Sequence, residues 1–117
     1  MPDFSILIVD EDNENRAFLA KELSREGRRL IDTSCTCIAR KIIDEQSIDM
    51  VILDTGTGKH CGFGFLRGVF HNQKAPHIPV FLMSNRTDLS TKLLSYLSGA
   101  LRFFSKPVDL DELLSSI

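Results

Sequence analysis

Along this 117-residue chain, short solid apolar runs alternate with longer stretches of helical period, and no other feature constrains the fold as tightly. Phe4-Ser5-Ile6-Leu7-Ile8-Val9, Met50-Val51-Ile52-Leu53 and Val80-Phe81-Leu82-Met83 are nearly continuous hydrocarbon. A strand reads this way when helices cover both of its faces, because neither face then meets water. Between these runs, apolar residues recur at three- and four-residue spacing: Ala17, Phe18, Leu19, Ala20 and Leu23; Ile38, Ala39, Ile42 and Ile43; Phe65, Leu66, Val69 and Phe70; Leu89, Leu93, Leu94 and Leu97. That is the period of a helix with one face covered. Leu30–Ser34 is shorter and more polar, as suits an edge strand. Leu101–Phe104 supplies a fifth strand, and Leu110–Ile117 a last helical turn or two. Local signals agree. Asp12 or Asn13 can cap the first helix, Gly27 and Gly99 suit helix stops, and Pro79 opens its strand where a missing N–H is tolerated. Five strands and five helices in strict alternation imply an α/β three-layer sandwich around an open parallel sheet with right-handed crossovers. No linker, repeat or low-complexity segment divides residues 1–117, so one domain is expected.

Composition removes several classes. Fourteen basic against sixteen acidic residues leave a net charge of −2, which argues against direct binding of nucleic acid. No apolar run approaches the roughly 18–20 residues that cross a bilayer, and the N-terminus lacks a basic flank and apolar region, so no membrane association is expected. Three cysteines are an odd number in a chain of ordinary core content. They speak against a disulfide framework and for a cytoplasmic location, with the thiols buried or half-buried.

A parallel sheet sends the carboxyl ends of all its strands to one edge, where open α/β sheets bind ligands. Here the first strand ends in Asp10 and Glu11, the third in Asp54, the fourth in Ser84 and the fifth in Lys106. Three carboxylates crowded together repel, so a cation is expected among them. Oxygen-only donors with room for water suit Mg²⁺ rather than a soft metal. An ammonium and a hydroxyl beside that cation form a set able to handle a phosphoryl group.

The runs Ile6-Leu7-Ile8-Val9-Asp10-Glu11 and Val51-Ile52-Leu53-Asp54, with Gly62 eight positions on, carry a resemblance, as do Pro79-Val80-Phe81-Leu82-Met83-Ser84 and Gly99-Ala100 followed by Phe103 and Lys106-Pro107. Together they resemble the receiver domain of bacterial response regulators, a chemotaxis-regulator-like member of two-component signalling, over essentially the whole chain. The resemblance implies a flavodoxin-like sheet of order 2-1-3-4-5. It implies Asp54 as phosphoacceptor, serving a sensor histidine kinase or a phosphotransfer protein in a phosphorelay, with Mg²⁺ as cofactor. Asp10, Glu11, Asp54 and the Gly56 carbonyl would serve the metal, Asp10 mainly through bound water. Ser84 and Lys106 would hold the phosphoryl oxygens, and Phe103 would be the aromatic switch that follows Ser84. Output would pass through the face of helix four, strand five and helix five, to an effector in a longer chain or to a second copy in a homodimer. The chain would be a stoichiometric acceptor with slow self-dephosphorylation rather than an enzyme, and one domain of a larger protein.

Some residues depart from that pattern. Thr57-Gly58 stands where a Met-Pro pair is usual, Asn85 where a small alanine is common, Arg102 where aspartate is frequent, and Glu11 in place of aspartate. The alternative these departures raise is a pseudo-receiver that binds a partner without phosphorylation. A Mg²⁺-dependent phosphatase would need a second acid/base two residues after Asp54, where Gly56 stands. Cys35-Thr36-Cys37 and His60-Cys61 match no zinc spacing. Gly56-Thr57-Gly58-Lys59 lacks the leading glycine and the closing hydroxyl of a phosphate-binding loop. Lys106-Pro107 is a candidate cis bond.

Overall fold

A computed structural model describes residues 4–55, 61–71 and 78–117. Its strands are β1 (Ser5–Val9), β2 (Arg29–Thr33), β3 (Met50–Asp54), β4 (Val80–Ser84) and β5 (Arg102–Ser105), and its helices α1 (Asn13–Leu23), α2 (Thr36–Glu45), α3 (Cys61–Phe70), α4 (Leu89–Leu97) and α5 (Leu110–Ser115). All strand pairs are parallel, and the sheet order is β2-β1-β3-β4-β5. The expected fold class is therefore the observed one.

Successive strand residues point to opposite faces of the sheet, and the solid runs accordingly feed two cores. Ile6 and Ile8 join Met50, Ile52, Phe81, Met83 and Phe104 under Leu19 and Leu23 of α1 and Leu113 of α5. Leu7 and Val9 join Val51, Leu53, Val80 and Leu82 under Ala39 and Ile43 of α2 and Phe65, Leu66 and Val69 of α3. At about 25 cal/mol per Å² of apolar surface removed from water, these two layers are the main stabilising term. β2 has no fully buried residue, as an edge strand allows.

The helix termini follow the sequence signals. Asp12 caps α1, its side chain accepting from the N–H groups of Glu14 and Asn15. A 3₁₀ turn, Ser24–Glu26, extends α1 to Gly27, which adopts φ +78°. Asp88 and Asp109 cap α4 and α5.

Helix α4 forms where its leucines predict, but it is turned over. Leu89, Leu93 and Leu97 are 71%, 52% and 84% exposed, whereas Thr91 and Ser95 face inward. Those hydroxyls bond within their own helix. Thr91 Oγ1 donates to Asp88 Oδ1 at 2.8 Å and Ser95 Oγ to the Thr91 carbonyl at 2.8 Å. Spacing identifies a stripe; it does not say which side of the stripe meets the sheet. Phe18 and Ile38 are likewise half-exposed members of otherwise buried-facing helices. Cys35 and Cys37 are exposed rather than buried. They occupy the start of α2, whose inward face is Ala39 and Ile43.

Candidate functional site

β1 and β3 are sheet neighbours in the register Val9 opposite Leu53, so the acids that follow lie side by side. Asp10 is 1% exposed. Its backbone N–H donates to the Thr33 carbonyl at 3.1 Å. Its carboxylate accepts from the Asp12 N–H at 2.9 Å and from Asn15 Nδ2. Arg16 adds a bond from Nη1 to the Asp10 carbonyl at 2.8 Å while its Nε lies 3.6 Å from Asp32. The Arg16 guanidinium thus braces the Asp10 backbone from the first turns of α1.

Lys106 reaches this pair from beyond β5. Ser84 pairs with Ser105 in the sheet, and the Lys106 N–H donates to the Ser84 carbonyl at 2.9 Å. The following peptide, Lys106-Pro107, the candidate cis bond of the sequence, is cis. Lys106 Nζ lies 3.2 Å from Asp54 Oδ2 and 3.7 Å from Asp10 Oδ2, with the three side chains 12%, 7% and 0% exposed. Among the described residues, one ammonium therefore bridges two buried acids.

Ser84 is 1% exposed. Its hydroxyl is engaged twice, by Thr55 Oγ1 at 3.1 Å and by the Arg86 N–H at 3.0 Å. Phe103 is half-buried against the α2/α3-side core, with Lys92 Nζ 5.9 Å from its ring centroid. Glu11 is exposed. Among the described residues, no three Asp, Glu, His or Cys side chains stand together as a set that could hold a metal ion. Gly56, expected to contribute its carbonyl, lies outside the described residues, as do Thr57, Gly58, Lys59 and His60. Of the predicted residues the structure thus brings Asp10, Asp54 and Lys106 into contact, places Ser84 in the next strand, and leaves Glu11 at the rim.

The chain matches the family model for the response regulator receiver domain over residues 6–117. It belongs to the response regulator receiver family. This receiver domain is 29% identical to the transcriptional regulatory protein GltR of Pseudomonas aeruginosa over 97% of its own length and 47% of GltR. It is also 29% identical to a probable cyclic di-GMP phosphodiesterase of Vibrio cholerae, over 97% of its length and 25% of that protein. The receiver domain spans a quarter to about half the length of the curated relatives it matches. Among solved structures, a response regulator receiver protein from Pseudomonas putida superposes with TM-score 0.88 at 25% identity, covering 98% of this chain and 95% of that one. The chemotaxis response regulator CheY4 of Vibrio cholerae gives 0.88 at 20%, covering 98% and 96%.

Sequence reasoning missed three supporting residues of the receiver site. Thr55 directly follows Asp54, and a hydroxyl on the first residue past a strand was its signal. Asn15 and Arg16 fall one turn into α1, within reach of the preceding strand end. No helix is long and apolar enough to cross a membrane among the described residues.

Proposed function

We propose that Asp54 accepts a phosphoryl group from the phosphohistidine of a sensor kinase or phosphotransfer protein and that the resulting charge resets the face of α4, β5 and α5. The observation that carries this reading is the Lys106 ammonium held between Asp54 and Asp10 at the buried end of the sheet. In the step, an Asp54 carboxylate oxygen forms a P–O bond as the P–N bond to the donor imidazole breaks. The imidazole leaves with that electron pair and takes up a proton. Lys106, already 3.2 Å from Oδ2, fixes the carboxylate and offsets charge on the phosphoryl oxygens. Ser84 supplies a hydroxyl to one of those oxygens once it turns from Thr55, and Phe103 follows that movement.

In donor chemistry the acids at the strand ends suit Mg²⁺. The acids Asp10, Glu11 and Asp54 offer hard carboxylate oxygens with neither sulfur nor imidazole among them. Asp10, Glu11, Asp54 and the Gly56 carbonyl would hold the ion. When bound, Mg²⁺ supplies charge stabilisation to the transferring phosphoryl group. Two further features support the output face. Leu93, Tyr96, Leu97 and Leu101 are exposed there, and a groove of about 360 Å³ lined by Lys92, Tyr96, Phe103, Ser105, Asp109 and Glu112 runs between α4 and α5. In this reading the chain is a stoichiometric acceptor in the cytoplasm, and the relatives' greater length supports an effector joined to it in a longer protein.

The test is incubation of the protein with Mg²⁺ and an acyl phosphate. Intact mass should rise by one phosphoryl group, and Asp54→Asn should show no rise. A wild-type protein that takes up no phosphate overturns the proposal in favour of a phosphorylation-independent interaction module, in which Asp54→Asn binds partners unchanged.

A further inference from the structure

Cys35 and Cys37 have no part in the site above, and their placement is unusual for thiols. Cys35 occupies the N-cap of α2 with extended backbone, φ −124° and ψ 128°, and Cys37 is the second residue of the helix. Helices α1, α4 and α5 each place an aspartate at this position, with its carboxylate on the free amides of the first turn. In α2 the position is held by a thiol, and the first turn contains no acid. A negative charge at the N-cap is favoured by those amides and by the helix dipole, so ionised sulfur is the form that suits the place. The amide N–H groups of Ile38 and Cys37, with the Cys37 side chain, accordingly draw the Cys35 pKa below its ordinary value.

Both thiols are free and exposed. Two residues apart, their Cα atoms are separated by at most about 7 Å, a tether that keeps the roughly 4.4–6.8 Å spanned by protein disulfides in reach. The pair follows the end of β2, at the strand whose Thr33 carbonyl receives the Asp10 N–H. The Cys35 N–H itself donates to Thr33 Oγ1 at 3.2 Å.

We propose that Cys35 and Cys37 are a reversible dithiol–disulfide site, with Cys35 the thiol that reacts first with a peroxide. The Cys35 thiolate attacks one peroxide oxygen, the O–O bond breaks, and Cys35 becomes a sulfenic acid as hydroxide leaves and takes a proton. The Cys37 thiolate then attacks the Cys35 sulfur. The S–O bond breaks, water leaves, and an S–S bond closes. Two electrons pass from the two thiols to the peroxide, which ends as two waters. A small dithiol reverses the change by exchange.

Trypsin separates the reactants cleanly. Cleavage after Arg29 and Arg40 releases residues 30–40 with both thiols, while Cys61 lies in a different peptide. The native protein is treated with hydrogen peroxide, its remaining thiols are blocked, and the digest is weighed. The expected product is peptide 30–40 lighter by two hydrogens, unblocked, and restored to two blockable thiols by dithiothreitol. In a separate alkylation near neutral pH, native Cys35 should react at least about threefold faster than in guanidinium-unfolded chain. The gain is smaller than the thiolate fraction alone implies, because nucleophilicity falls with pKa. Peptide 30–40 recovered with two free thiols, with sulfinic acid alone, or cross-linked to the Cys61 peptide overturns the proposal. Equal alkylation rates in native and unfolded protein overturn the assignment of Cys35 as the leading thiol. Cys37→Ser provides the control in which oxidation stops at Cys35 sulfenic acid and no disulfide forms in that peptide.

Discussion

Replacing Lys106 by methionine tests the electrostatics of the site most directly. Methionine keeps the apolar stem in place and removes only the ammonium. At an effective dielectric of about 20, the contacts of 3.2 Å to Asp54 and 3.7 Å to Asp10 represent gross attractions of about 5 and about 4.5 kcal/mol. Repulsion between the two acids and the desolvation of all three groups offset much of that. Measured losses on breaking one partner of a buried pair are about 3–5 kcal/mol, and these side chains are buried enough for that range to apply, at 12% exposure or less. We expect Lys106→Met to lose about 3 kcal/mol. With a urea slope of roughly 1.5 kcal/mol per M for a domain of this size, its midpoint falls by about 2 M. The measurement is equilibrium urea unfolding at pH 7.5 with a chelator present, so that no divalent ion stands in for the ammonium. Lys106→Met combined with Asp54→Asn should regain part of the loss, because one buried acid costs less than two. A loss below about 1 kcal/mol, the range of an exposed ion pair, would refute the reasoning. So would a double variant no more stable than the single one.

Other expectations concern the scaffold. Gly64→Ala in α3 should stabilise by about 0.5–1 kcal/mol, since a Cβ there meets nothing within 4 Å. Gly27→Ala, at φ +78°, should destabilise by about 1 kcal/mol; thermal melts compare the two. Leu97→Lys, on a side chain 84% exposed, should change stability by less than about 0.5 kcal/mol, whereas Leu113→Ala, fully buried, should lose about 2–5 kcal/mol. Asp88 is held ionised by the Thr91 hydroxyl and N–H, which place its carboxyl below the usual 3.8. Its folded-state pKa is therefore the lower one, so its contribution is complete above that value and disappears as pH falls through it. The stability difference between wild type and Asp88→Ala, followed by urea unfolding, should persist at neutral pH and close in acid.

The strands were readable because their burial is two-sided. Ile6 through Val9 and Met50 through Leu53 must all leave water, and such runs admit few structures other than central parallel strands. Once these were strands, Asp10, Asp54, Ser84 and Lys106 had to emerge on one edge, and the Lys106 contacts follow from that topology. Finer features depend on choices that spacing does not encode. The Thr55 to Ser84 bond depends on hydroxyl rotamers at the ends of two strands. The Asn15 and Arg16 contacts to Asp10 depend on how α1 enters from its Asp12 cap. The inversion of α4 depends on whether hydroxyls or leucines win the sheet side. A period of 3.6 is blind to that choice when both stripes repeat alike.

That inversion gives α4 an unusual mechanical character. Hydrocarbon buried against a sheet resists displacement through the area it would return to water, and α4 contributes no side chain to either core among the described residues. Thr91 and Ser95 keep their internal bonds wherever the helix goes, so lifting or sliding it breaks few contacts with the sheet. Segment 89–97 should therefore exchange its amide hydrogens earlier than α1 or α3. Small electrostatic changes at the end of β4, only a few residues upstream, have correspondingly little anchorage to overcome.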